Sequence, residues 1–230
     1  MKINGFQKLT LLDFPEKTAC TIFTAGCNFR CPFCHNASLV THIDDECIFS
    51  EQEILSFLEK RKGLLDGVCI TGGEPLMQKD IAEFIAKIKA LGYAVKLDTN
   101  GSFPAKLKEL VEKGLLDYVA MDIKGSMENY ANCIGFSEFD TIDVQKTIDF
   151  LLTDVVDYEF RTTVVSELHD EADIEKLALR IKGAKRYFLQ QFVDSGDLIG
   201  QNMTAVEEQT IKKMLDVALK YILSAKIRGI

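Results

Sequence analysis

Short β-branched or apolar runs alternate with longer amphipathic stretches along the chain, and this alternation restricts the fold more than any other feature. The runs are Ala19–Thr24, Val68–Thr71, Ala94–Asp98, Tyr118–Met121, Tyr158–Val165 and Arg186–Gln190. Among the intervening stretches, Ser50–Lys62 opens on Ser50 with Glu53 three residues on, a capping-box pattern. In Asp80–Leu91, residues Ile81, Phe84, Ile85 and Ile88 recur at helical spacing, and Gly92 follows as a stop signal. Ala105–Lys113, Thr141–Leu152, Glu171–Lys182 and Thr204–Ser224 complete the helical set. A strand followed by a helix, repeated six times, implies parallel pairing through right-handed crossovers. Six units fall short of the eight of a closed barrel, which leaves an open doubly wound sheet or a partial (β/α) barrel. In both, chemistry belongs at the C-terminal ends of the strands.

No low-complexity tract or Pro/Gly/Ser-rich linker divides the 230 residues, so residues 1–230 read as a single domain. A hydrophobic content of 47% is enough to build one large core. The net charge of −8 provides no chain-wide attraction for nucleic acid or anionic lipid. No apolar run reaches the roughly 18 residues of a membrane span, and the start, Met1-Lys2-Ile3-Asn4, lacks a signal-peptide core. Neither nucleic acid nor membrane is therefore expected as a partner, and a cytoplasmic location is. The seven cysteines are odd in number, and in a reducing compartment they read as metal ligands or redox groups rather than disulfides.

Three of them follow the first run directly, as Cys27-Asn28-Phe29-Arg30-Cys31-Pro32-Phe33-Cys34. Gly26 and Pro32 suit the tight loop needed to turn three thiolates onto one centre. Thiolates are soft ligands that select iron–sulfur clusters, zinc or Cu(I). A structural site ordinarily closes with four protein ligands. Three cysteines leave one iron of a cubane cluster open, whereas a zinc site would draw on His35 or His42 as the fourth ligand. Cys20 and Cys69 lie within the apolar runs and read as small buried hydrophobes. Cys47 and Cys133 are isolated, so no second cluster is expected, and His169 reads as a solvated loop residue.

Polar groups recur where later runs end. Gly72-Gly73-Glu74 closes the second run: glycines permit close backbone approach, and the carboxylate suits an ammonium group. A nucleotide-phosphate loop is disfavoured there, because G-x4-G-K-[ST] is missing and the carboxylate would repel phosphate. Asp98-Thr99-Asn100-Gly101 closes the third run, where Asn-Gly is also a plain turn signal. Asp122 and Lys124 close the fourth, two residues apart on one side of an extended chain. Arg161, among apolar residues in the fifth, needs an acidic partner. Gln190 and Gln191 close the sixth.

The spacing C-x3-C-x2-C, with Phe33 before the last cysteine, resembles the signature of the radical S-adenosylmethionine (SAM) superfamily. That resemblance implies a partial (β/α)6 TIM-like barrel, an α/β fold with a parallel sheet and outer helices. It implies a 4Fe–4S cluster on Cys27, Cys31 and Cys34, whose open iron binds SAM. One electron from the reduced cluster then yields a 5′-deoxyadenosyl radical that abstracts hydrogen from a substrate. The implied SAM-binding residues are Phe33, His35, Gly72, Gly73, Glu74, Asp98, Thr99, Asn100, Asp122, Lys124, Arg161 and Gln190.

The Asp98-Thr99-Asn100-Gly101 and Asp122-Ile123-Lys124 groups resemble elements of glycyl-radical-enzyme activases, which in some cases hold a monovalent cation, here expected near Asp98 and Asp122. The N-terminal stretch from Gly5 through Leu12-Asp13-Phe14-Pro15 to Asn36 is similar to activating proteins of anaerobic ribonucleoside-triphosphate reductase. The partners implied are a glycyl radical enzyme as protein substrate and a flavodoxin- or ferredoxin-type electron donor. The alternatives are an activase of the pyruvate formate-lyase type, a radical SAM enzyme acting on a small molecule, and a non-catalytic zinc or iron–sulfur module. Where the pyruvate formate-lyase activases carry a histidine, this chain has Gln190 and Gln191.

Overall fold

The computed structural model describes residues 1–41 and 48–229; His42 and Cys47 lie outside the described residues. Eight strands form one sheet in sequential order. They are β1 (Ile3–Thr10), β2 (Ala19–Thr24), β3 (Gly67–Gly72), β4 (Ala94–Thr99), β5 (Tyr118–Asp122), β6 (Asp157–Val164), β7 (Tyr187–Gln191) and β8 (Lys226–Arg228). The helices are α1 (Ala37–Thr41), α2 (Glu51–Lys60), α3 (Ile81–Ala90), α4 (Pro104–Glu112), α5 (Tyr130–Cys133), α6 (Ile142–Leu152), α7 (Glu171–Arg180) and α8 (Glu208–Leu219). Strands β2 to β8 pair in parallel, β1 pairs antiparallel with β2, and the sheet does not close between β1 and β8. The architecture is a partial TIM-like barrel: the six expected strands are β2 to β7, and β1 and β8 extend the sheet on either side.

The strands alternate strictly in what they face. Val68 and Ile70, Val95 and Leu97, Val119 and Met121, Tyr158 and Phe160 join the large core between the sheet and its helices. That core also holds Leu58 of α2, Phe84 and Ile88 of α3, Leu110 of α4, Ile148 of α6 and Leu177 of α7. Because side chains alternate with period two, the intervening residues of the same strands share the opposite, inner face. These include Cys69, Lys96, Asp98, Asp122, Glu159 and Arg161. A small apolar plug of Phe14, Ala19, Tyr118 and Ala120 occupies the N-terminal end of that face. The hydrophobic layer therefore lies outside the sheet, and the inner face is left for polar chemistry.

Local signals account for the helix limits. Ser50 and Glu53 form a complete capping box at α2, each accepting from the other's backbone. Asp170 caps α7 by accepting from the Asp173 amide. Gly92 and Gly114 follow α3 and α4 with φ of 93° and 65°, the left-handed region that ends a helix.

Candidate active site

The cysteine loop runs from the end of β2 to α1, and backbone contacts from distant segments hold it. The Gly26 amide donates to Leu39 O (2.8 Å), Arg30 N to Ile134 O (2.9 Å), and Gly200 N to Pro32 O (2.8 Å). Phe29 packs edge-on against Phe139, with ring centroids 5.3 Å apart, and Phe33 against His169 at 6.1 Å. These apolar anchors turn the loop inward. Cys27, Cys31 and Cys34 line one wall of a cavity of about 260 Å³.

The same cavity is lined from the strand ends by Gly72, Gly73, Asp98, Thr99, Asn100, Asp122, Lys124, Arg161 and Gln190, and from the loop by Phe33 and His35. Of the residues singled out from sequence, Glu74 alone does not line it. The Glu74 carboxylate is fully buried and accepts from Leu76 N (3.0 Å), Thr99 Oγ1 (3.0 Å) and Asn100 N (2.7 Å). It ties the end of β3 to the end of β4 and caps the 3-10 turn Pro75–Met77. Burial pushes this carboxyl up to about 7, against those three donors.

The two glycines before Glu74 also have a packing role. A Cβ on Gly73 would stand 2.0 Å from the Gly26 carbonyl oxygen, and one on Gly72 would stand 2.5 Å from the Thr24 backbone. Gly73 N donates to Thr24 O and Glu74 N to Gly26 O, each at 2.8 Å. Glycine is thus what lets the strand end lie directly against the cysteine loop.

Across the cavity floor runs a ladder of charges. Lys96 Nζ binds Asp98 Oδ1; Arg161 binds Asp98 Oδ2 through Nη2 (3.1 Å) and Asp122 Oδ1 through Nε (2.8 Å); Lys124 Nζ binds Asp122 Oδ2 (3.2 Å). Parallel register brings these groups together: Asp98 pairs with Ala120 and Asp122 with Arg161. Burial pushes the Asp98 and Asp122 carboxyls up, but Arg161 and the neighbouring lysines outweigh it, and both sit below their ordinary value. Burial likewise works against the charge on Lys124, and Asp122 more than restores it.

Burial raises all three thiols of the loop, Cys27 to about 11 and Cys31 to about 12, while Lys124 pulls each of them down. Ligation must therefore displace a proton from each sulfur, with Lys124 favouring the thiolate. His35 stacks on Phe192 at 5.5 Å, and burial, aided by Lys124, lowers its pKa, keeping the ring neutral. All three thiols are free and line one cavity, a soft three-thiolate donor set that suits a cluster with one iron left open.

His169 departs from the sequence reading: it is buried at 4% exposure, not solvated. Its Nδ1 accepts from Val165 N (3.1 Å), which leaves Nε2 to donate to Lys124 O (2.8 Å). It thereby fixes the backbone that carries Lys124. Cys133 is also buried, with its sulfur 3.8 Å from His169 Nε2. Sequence reasoning also passed over Asn36, whose amide donates to Gly72 O (2.9 Å), and Lys96. The signal for Lys96 was present, since it lies two residues before Asp98 and so on the same face of the strand.

The model of the radical SAM superfamily matches residues 21–151, more than half of the chain. A protein of Methanocaldococcus jannaschii, provisionally named a glycyl-radical enzyme activating enzyme, is 34% identical over 99% of this chain and 96% of its own length. Among solved structures, a domain of the pyruvate-formate lyase-activating enzyme from Bacteroides vulgatus aligns with a TM-score of 0.58 at 19% identity, covering 71% of this chain and 99% of that one. Streptococcus suis SuiB, solved with its precursor peptide SuiA, aligns with a TM-score of 0.72 at 14% identity, over 91% of this chain and 48% of its own. Both structural likenesses concern the fold. With the cysteine loop, the strand-end groups and the matched family in agreement, the chain belongs to the radical SAM superfamily, whose enzymes use SAM at a 4Fe–4S cluster to generate radicals.

Proposed function

We propose that this chain, a single radical SAM domain over residues 1–230, activates a glycyl radical enzyme, and that its partner is an anaerobic ribonucleoside-triphosphate reductase. The observation that carries the activase reading is the near full-length similarity to the M. jannaschii activating-enzyme relative, at 34% identity. The reductase is favoured by the N-terminal stretch from Gly5 to Asn36 that contains the cysteine loop. A sheet left open between β1 and β8 suits a polypeptide loop as substrate.

In this reading, Cys27, Cys31 and Cys34 hold the cluster and leave one iron for SAM. A cluster held there would supply one-electron reduction of SAM and so the radical chemistry directed at a glycine of the partner. The chain's own residues bind and orient. Gly72 and Gly73 edge the site beside the cysteine loop, with Glu74 fixing that edge from behind. Asp98, Asp122, Lys124 and Arg161 form a charged floor suited to the carboxylate and ribose of SAM. Phe33, His35, Thr99, Asn100 and Gln190 complete the wall. Cluster potentials extend down to roughly −700 mV, and the low end needed here calls for a flavodoxin- or ferredoxin-type donor. The protein is expected to work in the cytoplasm; among the described residues, no helix is long and apolar enough to cross a membrane.

The test is electron paramagnetic resonance of candidate partners after incubation with the reconstituted protein, SAM and a reductant. A glycyl doublet on an anaerobic ribonucleotide reductase is expected. A doublet only on an enzyme of the pyruvate formate-lyase type would overturn the choice of partner. Consumption of a small metabolite, with no doublet on either, would overturn the activase reading itself.

A further inference from the structure

Beneath the floor of the cavity lies a buried cation that the SAM-site reading does not use. Lys96 is 1% exposed and lies in the middle of β4 on the inner face of the sheet. Its ammonium contacts Asp98 Oδ1 and stands 3.6 Å from Cys69 Sγ. Burial works against its charge, and Asp98 more than restores it. Every carboxylate oxygen of the ladder thus has a cationic donor: Asp98 has Lys96 and Arg161, and Asp122 has Arg161 and Lys124.

A sodium or potassium ion between Asp98 and Asp122 does not fit this arrangement. It would have to share carboxylate oxygens that each already accept from a guanidinium or ammonium. It would also enter a cluster in which three fixed cations face two carboxylates, a balance that repels a further cation and favours one added anion. The methionyl carboxylate of SAM is an anion of that kind. We propose that Lys96 is a tethered substitute for a monovalent cation: it holds Asp98 ionised and in place, so that this chain binds SAM without sodium or potassium. Lys96 acts through Asp98 and is a positioning residue, not a catalytic one.

The inference rests on the SAM site proposed above, and one experiment separates the two. The anaerobically reconstituted holoprotein is titrated with SAM by calorimetry in potassium chloride, sodium chloride and tetramethylammonium chloride at equal ionic strength, the last ion being too large for such a site. Wild-type affinity should agree among the three salts to within about twofold. Loss of about tenfold or more in tetramethylammonium chloride, the size of one charge-assisted contact, overturns the proposal.

Lys96→Met should bind SAM about tenfold or more weakly in tetramethylammonium chloride and recover severalfold on addition of sodium or potassium. A purely structural lysine would show no such rescue, so a defect that neither ion repairs overturns the role given to Lys96, as does wild-type affinity in every salt. If Lys96→Met does not fold, sodium-23 relaxation of the wild-type complex decides. Relaxation matching that of free sodium supports the proposal, and a site that holds sodium only when SAM is present overturns it. A wild-type holoprotein that binds no SAM in any salt overturns the SAM-site reading and this inference with it.

Discussion

Gly73 and Glu74 show how single residues shape the site, the first at its edge and the second from behind it. A methyl on Gly73 would meet backbone, the Gly26 carbonyl at 2.0 Å, and no side chain can swing away to relieve it. Gly73→Ala should therefore cost about 2–3 kcal/mol and displace the cysteine loop, seen as a lower melting temperature and iron content well below wild type after reconstitution. Wild-type values for both would contradict the packing role.

Glu74 gives a pH signature. Burial raises its carboxyl from the ordinary 4.5 to about 7, so the native state keeps a proton that the unfolded chain has released. The stability from this group is fully present below about pH 4.5 and is lost as pH rises through about 7, on the order of 3 kcal/mol in all. Asp98 and Asp122, held below their ordinary 3.8, act in the opposite sense, and only as pH falls below that value. Glu74→Gln removes the titration. Its melting temperature should fall less than that of wild type between about pH 4.5 and 7; equal slopes would contradict the assignment.

At the scale of elements, one ion pair ties the last strand, β8, to the inner face of the sheet. Arg228 of β8 makes a bidentate pair with buried Glu159 of β6 (2.7 and 2.8 Å), which also accepts from Tyr118 Oη, and its guanidinium lies 3.3 Å from the Phe188 ring centre. Because Arg228 is partly exposed, Arg228→Met should cost about 2 kcal/mol, less than a fully buried pair, measured by urea unfolding. A change below about 0.5 kcal/mol would mean that Glu159 is satisfied without it.

The six strands that carry the site were legible in the sequence because each presents apolar residues to the helices and ends in a polar cluster. β8 was not, because three residues with charge at both ends show no period. β1 was not, because it is an edge strand with two register shifts against β2, and its Gly5 packs under Phe23. The short helices α1 and α5 fall below the length at which a helical period can be read. His169 was misread because its burial comes from contacts distant in sequence, with the Lys124 carbonyl and the Phe33 ring. The cysteine triplet and the strand-end groups were legible as types and spacings. That Glu74 would turn away from the cavity, and that Lys96 would lie beneath it, depended on the registers of β3, β4 and β5.

On the scale of the whole molecule, layering and chemistry are two results of one alternation. The apolar half of each strand faces the helices and provides the core; the other half faces inward, with an apolar plug at one end and the charged floor and thiols at the other. The central claim is that the three thiols and this floor together hold a cluster and SAM. The most direct test is anaerobic reconstitution with iron and sulfide, followed by dithionite and SAM, with 5′-deoxyadenosine quantified. The wild-type protein should turn brown and release 5′-deoxyadenosine, and Cys31→Ala should do neither. Stoichiometric zinc with no SAM cleavage in the wild type, or a fully SAM-cleaving cluster in Cys31→Ala, would contradict the account.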